Sequence, residues 1–223
     1  MAGAEALWPF RYDAAIFDFD GTLAYSGDVW HEVDRLFLAK RGIPYEQDLD
    51  EALAPLTFEG CAEYVRERFH LDEHIEDICR EWNEIGVELY TDRIELRPGA
   101  HAYLQALVDA GVPCALATTN DPQVIAASNH RTHVRELFSA QIFGTDVNAP
   151  KTKPDIYLEA ARRLGVAPER CIVFEDVIEG IRSAKSAGMA TCGIAAGGDP
   201  AKEAAKAAEA DVFITSWEEV PLP

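Results

Sequence analysis

The chain has 223 residues, 48% of them apolar and 26% charged, which is enough for a full core and ordinary for a globular protein. Its net charge of −19 excludes a binder of nucleic-acid backbones, which are met by basic surface. The five cysteines (Cys61, Cys79, Cys114, Cys171, Cys192) show neither CxxC nor paired spacing, so reduced thiols are expected rather than a disulfide framework or a zinc site.

The N-terminal "MAGAEALWPFRYD" lacks the basic start and apolar centre of a signal peptide, and no window is as long as a membrane span. A cytoplasmic protein without a membrane partner is expected. Next comes "AAIFDFDGTLAY", residues 14–25, an apolar run that reads as a buried strand. Asp18 and Asp20 stand at alternating positions at its end, where side chains point the same way and two carboxylates repel. A bound cation, a division of chemical labour, or both would justify that cost. Gly21 then permits a sharp turn.

The next clear strand is "VPCALATT" at 112–119, far beyond the roughly 30 residues of a simple crossover. The intervening chain has helical periodicity in "VWHEVDRLFLAKRG", "FEGCAEYVRERF" and "IEDICREWNEIGVELY". Residues 28–96 are therefore expected to form a small all-helical domain inserted into an α/β domain of residues 1–27 and 97–223, with hinges near Ser26-Gly27 and Arg97-Pro98-Gly99. This insertion holds 19 acidic against 7 basic residues, −12 of the total charge. A solvated helical surface accounts for that; if it also lines a substrate site, highly charged anions are poor substrates.

From there helices and strands alternate. "GAHAYLQALVDAG" precedes the strand ending at Thr119, a helical region at 122–138 precedes "AQIFGT", and "PDIYLEAARRLGV" precedes "CIVFED". "VIEGIRSAKSAGM" then precedes "ATCGIA", and an Ala-rich helix precedes "DVFIT". The pattern predicts a doubly wound, Rossmann-like parallel sheet that binds ligands off the carboxyl ends of its strands.

Four polar groups fall at those ends. They are Asp18 with Asp20; Thr118-Thr119-Asn120 before the capped helix start Asp121-Pro122; Lys151 in a loop; and Glu175-Asp176. Taken singly, the second reads as a helix cap, Lys151 as a solvated loop lysine and the last pair as a cap with a dipole partner. All four at one sheet edge are hard to reconcile with coincidence.

"DFDGTL", "ATTN", "APKTKPDIY" and "FEDVIEGIRSAKSAGM" together resemble the four ordered motifs of the haloacid dehalogenase superfamily, in particular its helical-cap phosphatases and β-phosphoglucomutase-like members. The resemblance covers essentially the whole chain, tightly in the core and loosely in the cap. It implies Asp18 as nucleophile, Asp20 as acid and then base, and Mg²⁺ held by Asp18, the Asp20 carbonyl and Asp176, with Glu175 ligating directly or through water. Thr118, Thr119, Asn120 and Lys151 would bind the phosphoryl group. Members acting as dehalogenases or phosphonatases lack an aspartate two residues after the nucleophile, so Asp20 favours phosphoryl transfer from a small phosphate ester such as a sugar phosphate.

The third motif departs from the usual GKPxPD: Pro150 replaces the glycine and Thr152 the proline, leaving Lys153 as a competitor to Lys151. His31 sits one position later than the cap histidine of the mutases, and "APLTFEGCAEY" lacks the arginine with which they hold a second phosphate. The expected function is thus a Mg²⁺-dependent phosphatase. Its alternatives are a phosphomutase and a catalytically weak binding protein on the same fold. Tyr25, Trp30, His31 and Phe58 are candidate substrate-facing residues, and a monomer or weak homo-oligomer is expected.

Overall fold

The apolar run before Asp18 forms the first central strand of a parallel sheet in the computed structural model, which describes residues 2–53, 56–147 and 149–222. That strand, β1 (Ala14–Phe17), is followed by the short β2 (Ala24–Tyr25). Four helices come next: α1 (Val29–Lys40), α2 (Leu49–Leu53), α3 (Phe58–Arg68) and α4 (Ile75–Arg93). The chain returns through β3 (Glu95–Leu96), α5 (Ala100–Asp109) and β4 (Cys114–Thr118). It continues with α6 (Pro122–Thr132), β5 (Ala140–Phe143), α7 (Gly144–Val147), α8 (Asp155–Leu164) and β6 (Cys171–Glu175). It ends with α9 (Ile178–Ser186), β7 (Ala190–Ile194), α10 (Pro200–Glu209) and β8 (Val212–Ile214).

The six-stranded sheet has the order β5-β4-β1-β6-β7-β8, all neighbours parallel. The chain leaves β1 towards β4 and β5, then crosses back to β6 on the other flank. The winding direction therefore reverses at β1, and a crevice opens at its carboxyl end. All four residues of β1 are buried, as expected for a strand covered on both faces. On one face Phe17 stacks on its cross-strand partner Phe174, centroids 4.5 Å apart, with Tyr103 and Trp217 packed against the pair. On the other, Ile16, Val173 and Ala117 meet Ile156, Tyr157 and Ala160 of α8. The Phe17–Phe174 register sets two acids side by side: Asp18 emerges next to Glu175, and its amide donates to the Phe174 carbonyl at 3.0 Å.

Two elements differ from the sequence reading. Helix α6 stops at Thr132 rather than running to 138, because His133 adopts a left-handed conformation (φ 50°) and only a 3-10 turn, Arg135–Leu137, comes after it. The points where the insertion leaves and returns are also paired: β2 and β3 form a two-stranded antiparallel ribbon with Ala24 opposite Leu96. Just beyond it the buried Arg97 donates from its guanidinium to the carbonyls of Gly21 and Ala195, tying this crossing to the loop after Asp20.

Within the insertion, α1 buries Val29, Val33, Phe37 and Leu38, and α4 packs on α6 of the core. Gly86 lies at that seam, where a Cβ would meet Val124 and Trp30 in ordinary contact at 3.4 and 3.5 Å. His31 points away from this seam and pairs with Asp50 at 2.7 Å. Nearby Asp34 has its carboxyl pushed up to about 7, first by burial and then by Asp50, with His31 acting in the opposite direction. An acid whose folded pKa exceeds its unfolded value contributes most stability below about pH 4 and loses it as pH rises towards 7. Asp34→Asn is therefore expected to raise the melting temperature at pH 8, by the equivalent of about 2–4 kcal/mol, with no gain at pH 4. Equal shifts at both pH values in thermal melts would reject the assignment.

Candidate active site

Asp18 is 1% exposed. Its Oδ1 accepts from Lys151 Nζ, while its Oδ2 is buried with no protein partner. Lys151 also donates to Glu175 Oε1 at 2.7 Å. Burial works against the lysine's charge, but Asp18 and Glu175 outweigh it and hold the ammonium well above its usual range. Lys153, two residues on, is exposed, its amide closing a turn onto the Pro150 carbonyl at 3.0 Å.

Glu175 has all four of its lone-pair positions filled. Oε1 accepts from Lys151 and from the Tyr157 hydroxyl at 2.8 Å; Oε2 accepts from the amides of Asp176 and Val177 at 2.8 and 3.1 Å. Gly180 permits this packing, because a Cβ there would stand 2.5 Å from Oε1. Asp176 lies against the turn after Asp20: Gly21 has φ +75°, and a Cβ on it would fall 2.2 Å from Asp176 Oδ2.

Carboxylate oxygens of Asp18, Glu175 and Asp176 lie within 4.8 Å of one another. Burial pushes the Asp18 carboxyl well up, Lys151 offsets part of this, and the neighbouring carboxylates add to it. Asp176 is pushed up to about 7, again by burial first and then by Glu175. Three crowded acids and an orphaned buried oxygen are a donor set that a hard divalent cation fits, since the cation's charge and coordination would relieve both the repulsion and the missing partner. Asp18 Oδ2 has no protein partner, and Asp176 and Glu175 complete the acidic set, Glu175 while also bonded to Lys151.

Asp20 is held differently. Its Oδ1 accepts from the hydroxyl of Tyr90, on α4 of the insertion, and its Oδ2 from Asn120 Nδ2 at 3.1 Å. Asn120, expected to hold phosphate, instead turns its amide onto Asp20 and Tyr90. Its Oδ1 is taken by the Asp121 amide at 2.9 Å, which fixes the orientation. Thr118 is buried and its hydroxyl accepts from the Asn120 backbone amide at 3.1 Å; Thr119 is exposed just past β4. Thr118 ends β4, the strand paired with β1, and Lys151 bonds Asp18 directly.

The four candidate substrate-facing residues separate into two pairs. Trp30 and Phe58 join an aromatic row that reaches Tyr90, with Trp30 6.0 Å from Phe58 and 6.3 Å from Tyr90. His31 is engaged with Asp50, and Tyr25, 58% exposed, carries the Arg97 guanidinium over its ring at 5.4 Å. Neither joins the cluster around Asp18. Tyr90, Tyr157 and Arg97 were missed by sequence reasoning: Tyr157 lies inside the third motif, but Tyr90 reads as one more apolar position of an amphipathic helix.

Residues 12–188 match the haloacid dehalogenase-like hydrolase family, well over half of the chain. The chain belongs to that family. Among similar family members, the phosphorylated carbohydrates phosphatase of Thermotoga maritima is 28% identical over 177 residues, covering 79% of this chain and 82% of that one. CbbY of Cereibacter sphaeroides is 32% identical over 188 residues, covering 79% and 81%. The solved structure of a CbbY mutant from Rhodobacter sphaeroides with xylulose-(1,5)-bisphosphate superposes with a TM-score of 0.80 at 28% identity, covering 93% of this chain and 96% of that one. Like the T. maritima relative, the chain is a hydrolase of the phosphatase type.

Proposed function

We propose a Mg²⁺-dependent phosphatase that hydrolyses a small, singly phosphorylated organic ester, a sugar phosphate being the leading class. The observation that carries this reading is the convergence of Asp18, Asp20, Lys151 and Asp176 at one strand-end crevice, with one oxygen of Asp18 unpartnered. Asp18 attacks phosphorus in line, forming an O–P bond as the ester oxygen departs. Asp20 protonates that oxygen and later takes a proton from the water that cleaves the aspartyl-phosphate. Lys151, the Thr118 hydroxyl and the Thr119 amide bind the phosphoryl oxygens and favour the charge that builds in the transition state. Mg²⁺ would sit on Asp18, the Asp20 carbonyl and Asp176, and when bound would neutralise phosphoryl charge. Glu175 would ligate directly or through water, and it also fixes Lys151.

Residues 28–96 act as a cap over a core of residues 1–27 and 97–223, excluding water during attack. The T. maritima relative is named for phosphorylated carbohydrates, in keeping with this class. A bisphosphate or a phosphomutase reaction is disfavoured, because the cap carries −12 and its 54–64 stretch of sequence has no arginine to grip a second phosphate. The expected result is turnover of p-nitrophenyl phosphate that a chelator abolishes and Mg²⁺ restores. Bound metal without turnover of any ester in a panel of phosphorylated metabolites would instead support a binding protein.

A further inference from the structure

The contacts around Asp20 form a closed ring of three hydrogen bonds. Asn120 Nδ2 uses its two protons on Asp20 Oδ2, at 3.1 Å, and on the Tyr90 oxygen, at 2.9 Å. The Tyr90 hydroxyl passes its own proton to Asp20 Oδ1. The Asp121 amide closes off Asn120 Oδ1 at 2.9 Å, so the amide cannot flip without leaving a donor facing a donor. Tyr90 and Asn120 are buried, and Tyr90 is wedged between Phe19 and Trp30, with centroids 6.4 and 6.3 Å away. A closed polar ring with two buried members is rigid, and its members stand or fall together.

Building on the phosphatase reading above, we propose that Tyr90 and Asn120 are positioning residues which lock the Asp20 carboxyl in line with the departing oxygen. Since Tyr90 belongs to α4, the helical insertion then supplies part of the acid/base apparatus as well as a cover. Satisfying buried polar atoms would require only that these groups be paired. Positioning makes a narrower claim: loss of the ring harms proton delivery to the leaving group more than it harms attack by Asp18.

Leaving-group dependence separates the two. Nitrophenolates depart with little help from an acid, whereas phenolate needs a proton, and general acid catalysis contributes about 10²–10⁴-fold where it is needed. For Tyr90→Phe and, independently, Asn120→Ala, the ratio of kcat/KM for 2,4-dinitrophenyl phosphate over phenyl phosphate is expected to rise by at least about 10-fold relative to wild type. An unchanged ratio, whether both rates fall together or neither moves, assigns the ring a purely structural role and overturns the proposal. A gain on phenyl phosphate overturns it too, by showing that Tyr90 holds the carboxyl back. If the wild-type protein with Mg²⁺ turns over neither ester, the phosphatase reading itself falls, and this inference with it.

Discussion

Asp18→Asn is expected to lower turnover of p-nitrophenyl phosphate by at least about 10⁴-fold while making the metal-free protein more stable. The first half rests on chemistry, because an amide cannot form the acyl phosphate. The second rests on the surroundings of Asp18: burial disfavours its charge, Glu175, Asp176 and Asp20 add repulsion, and Lys151 alone opposes them. Asparagine has the same shape without the charge, and Lys151 keeps its bond to Glu175. A gain of about 1–2 kcal/mol, or roughly 2–8 °C in melting temperature near neutral pH, is expected. Added Mg²⁺ should raise the melting temperature of wild type and have a smaller effect on the variant. A variant with activity within 10-fold of wild type removes Asp18 as nucleophile; a lower metal-free melting temperature removes the account of crowded charge.

That exchange of stability for function was partly legible in the sequence, because Asp18 and Asp20 at alternating strand positions already posed the question. The sheet was legible for a related reason. Buried parallel strands are apolar runs such as "CIVFE", long enough to stand out between amphipathic helices. The two-residue strands β2 and β3 are too short to carry any period, so the ribbon that joins the insertion to the core could not be seen. Side-chain pairings across long sequence distances were equally hidden. Tyr90 lies 70 residues from Asp20, and nothing local distinguishes a tyrosine that packs from one that also donates a proton. The contrast between Asn120 and Thr118 is of the same kind. Both sit at or just past the end of β4, and the contacts that distinguish Asn120, to Tyr90 of α4 and to Asp20, span 30 and 100 residues of sequence.

Glu175 shows how one acid can belong to an acidic cluster and also act as a scaffold. The family resemblance implied Glu175 as a metal ligand, direct or through water, and its carboxylate lies in the acidic cluster with Asp18 and Asp176; the amides of the adjoining turn and the Tyr157 hydroxyl fix its orientation. Together with Asp18, it holds the Lys151 ammonium well above its usual range. The lysine therefore holds two acids together as much as it faces phosphate.

Lys151→Ala is accordingly expected to fail twice. Activity should fall by about 10²–10³-fold, the usual cost of removing a preorganised donor to the transition state. Stability should fall by roughly 3–5 kcal/mol, because Asp18 and Glu175 would be left buried without their counter-ion. That second loss has a pH signature. Carboxyls without a cation nearby titrate higher in the folded protein than in the unfolded one, so their stabilising contribution is present at low pH and lost as pH rises. The melting-temperature gap between Lys151→Ala and wild type should therefore be wide at pH 8 and narrow towards pH 5. Lys153→Ala, altering an exposed side chain in the same loop, should move neither activity nor melting temperature. The reverse outcome, with Lys153→Ala inactive and Lys151→Ala unaffected, would place the motif lysine at 153 and dissolve the link between Asp18 and Glu175 on which the site geometry rests.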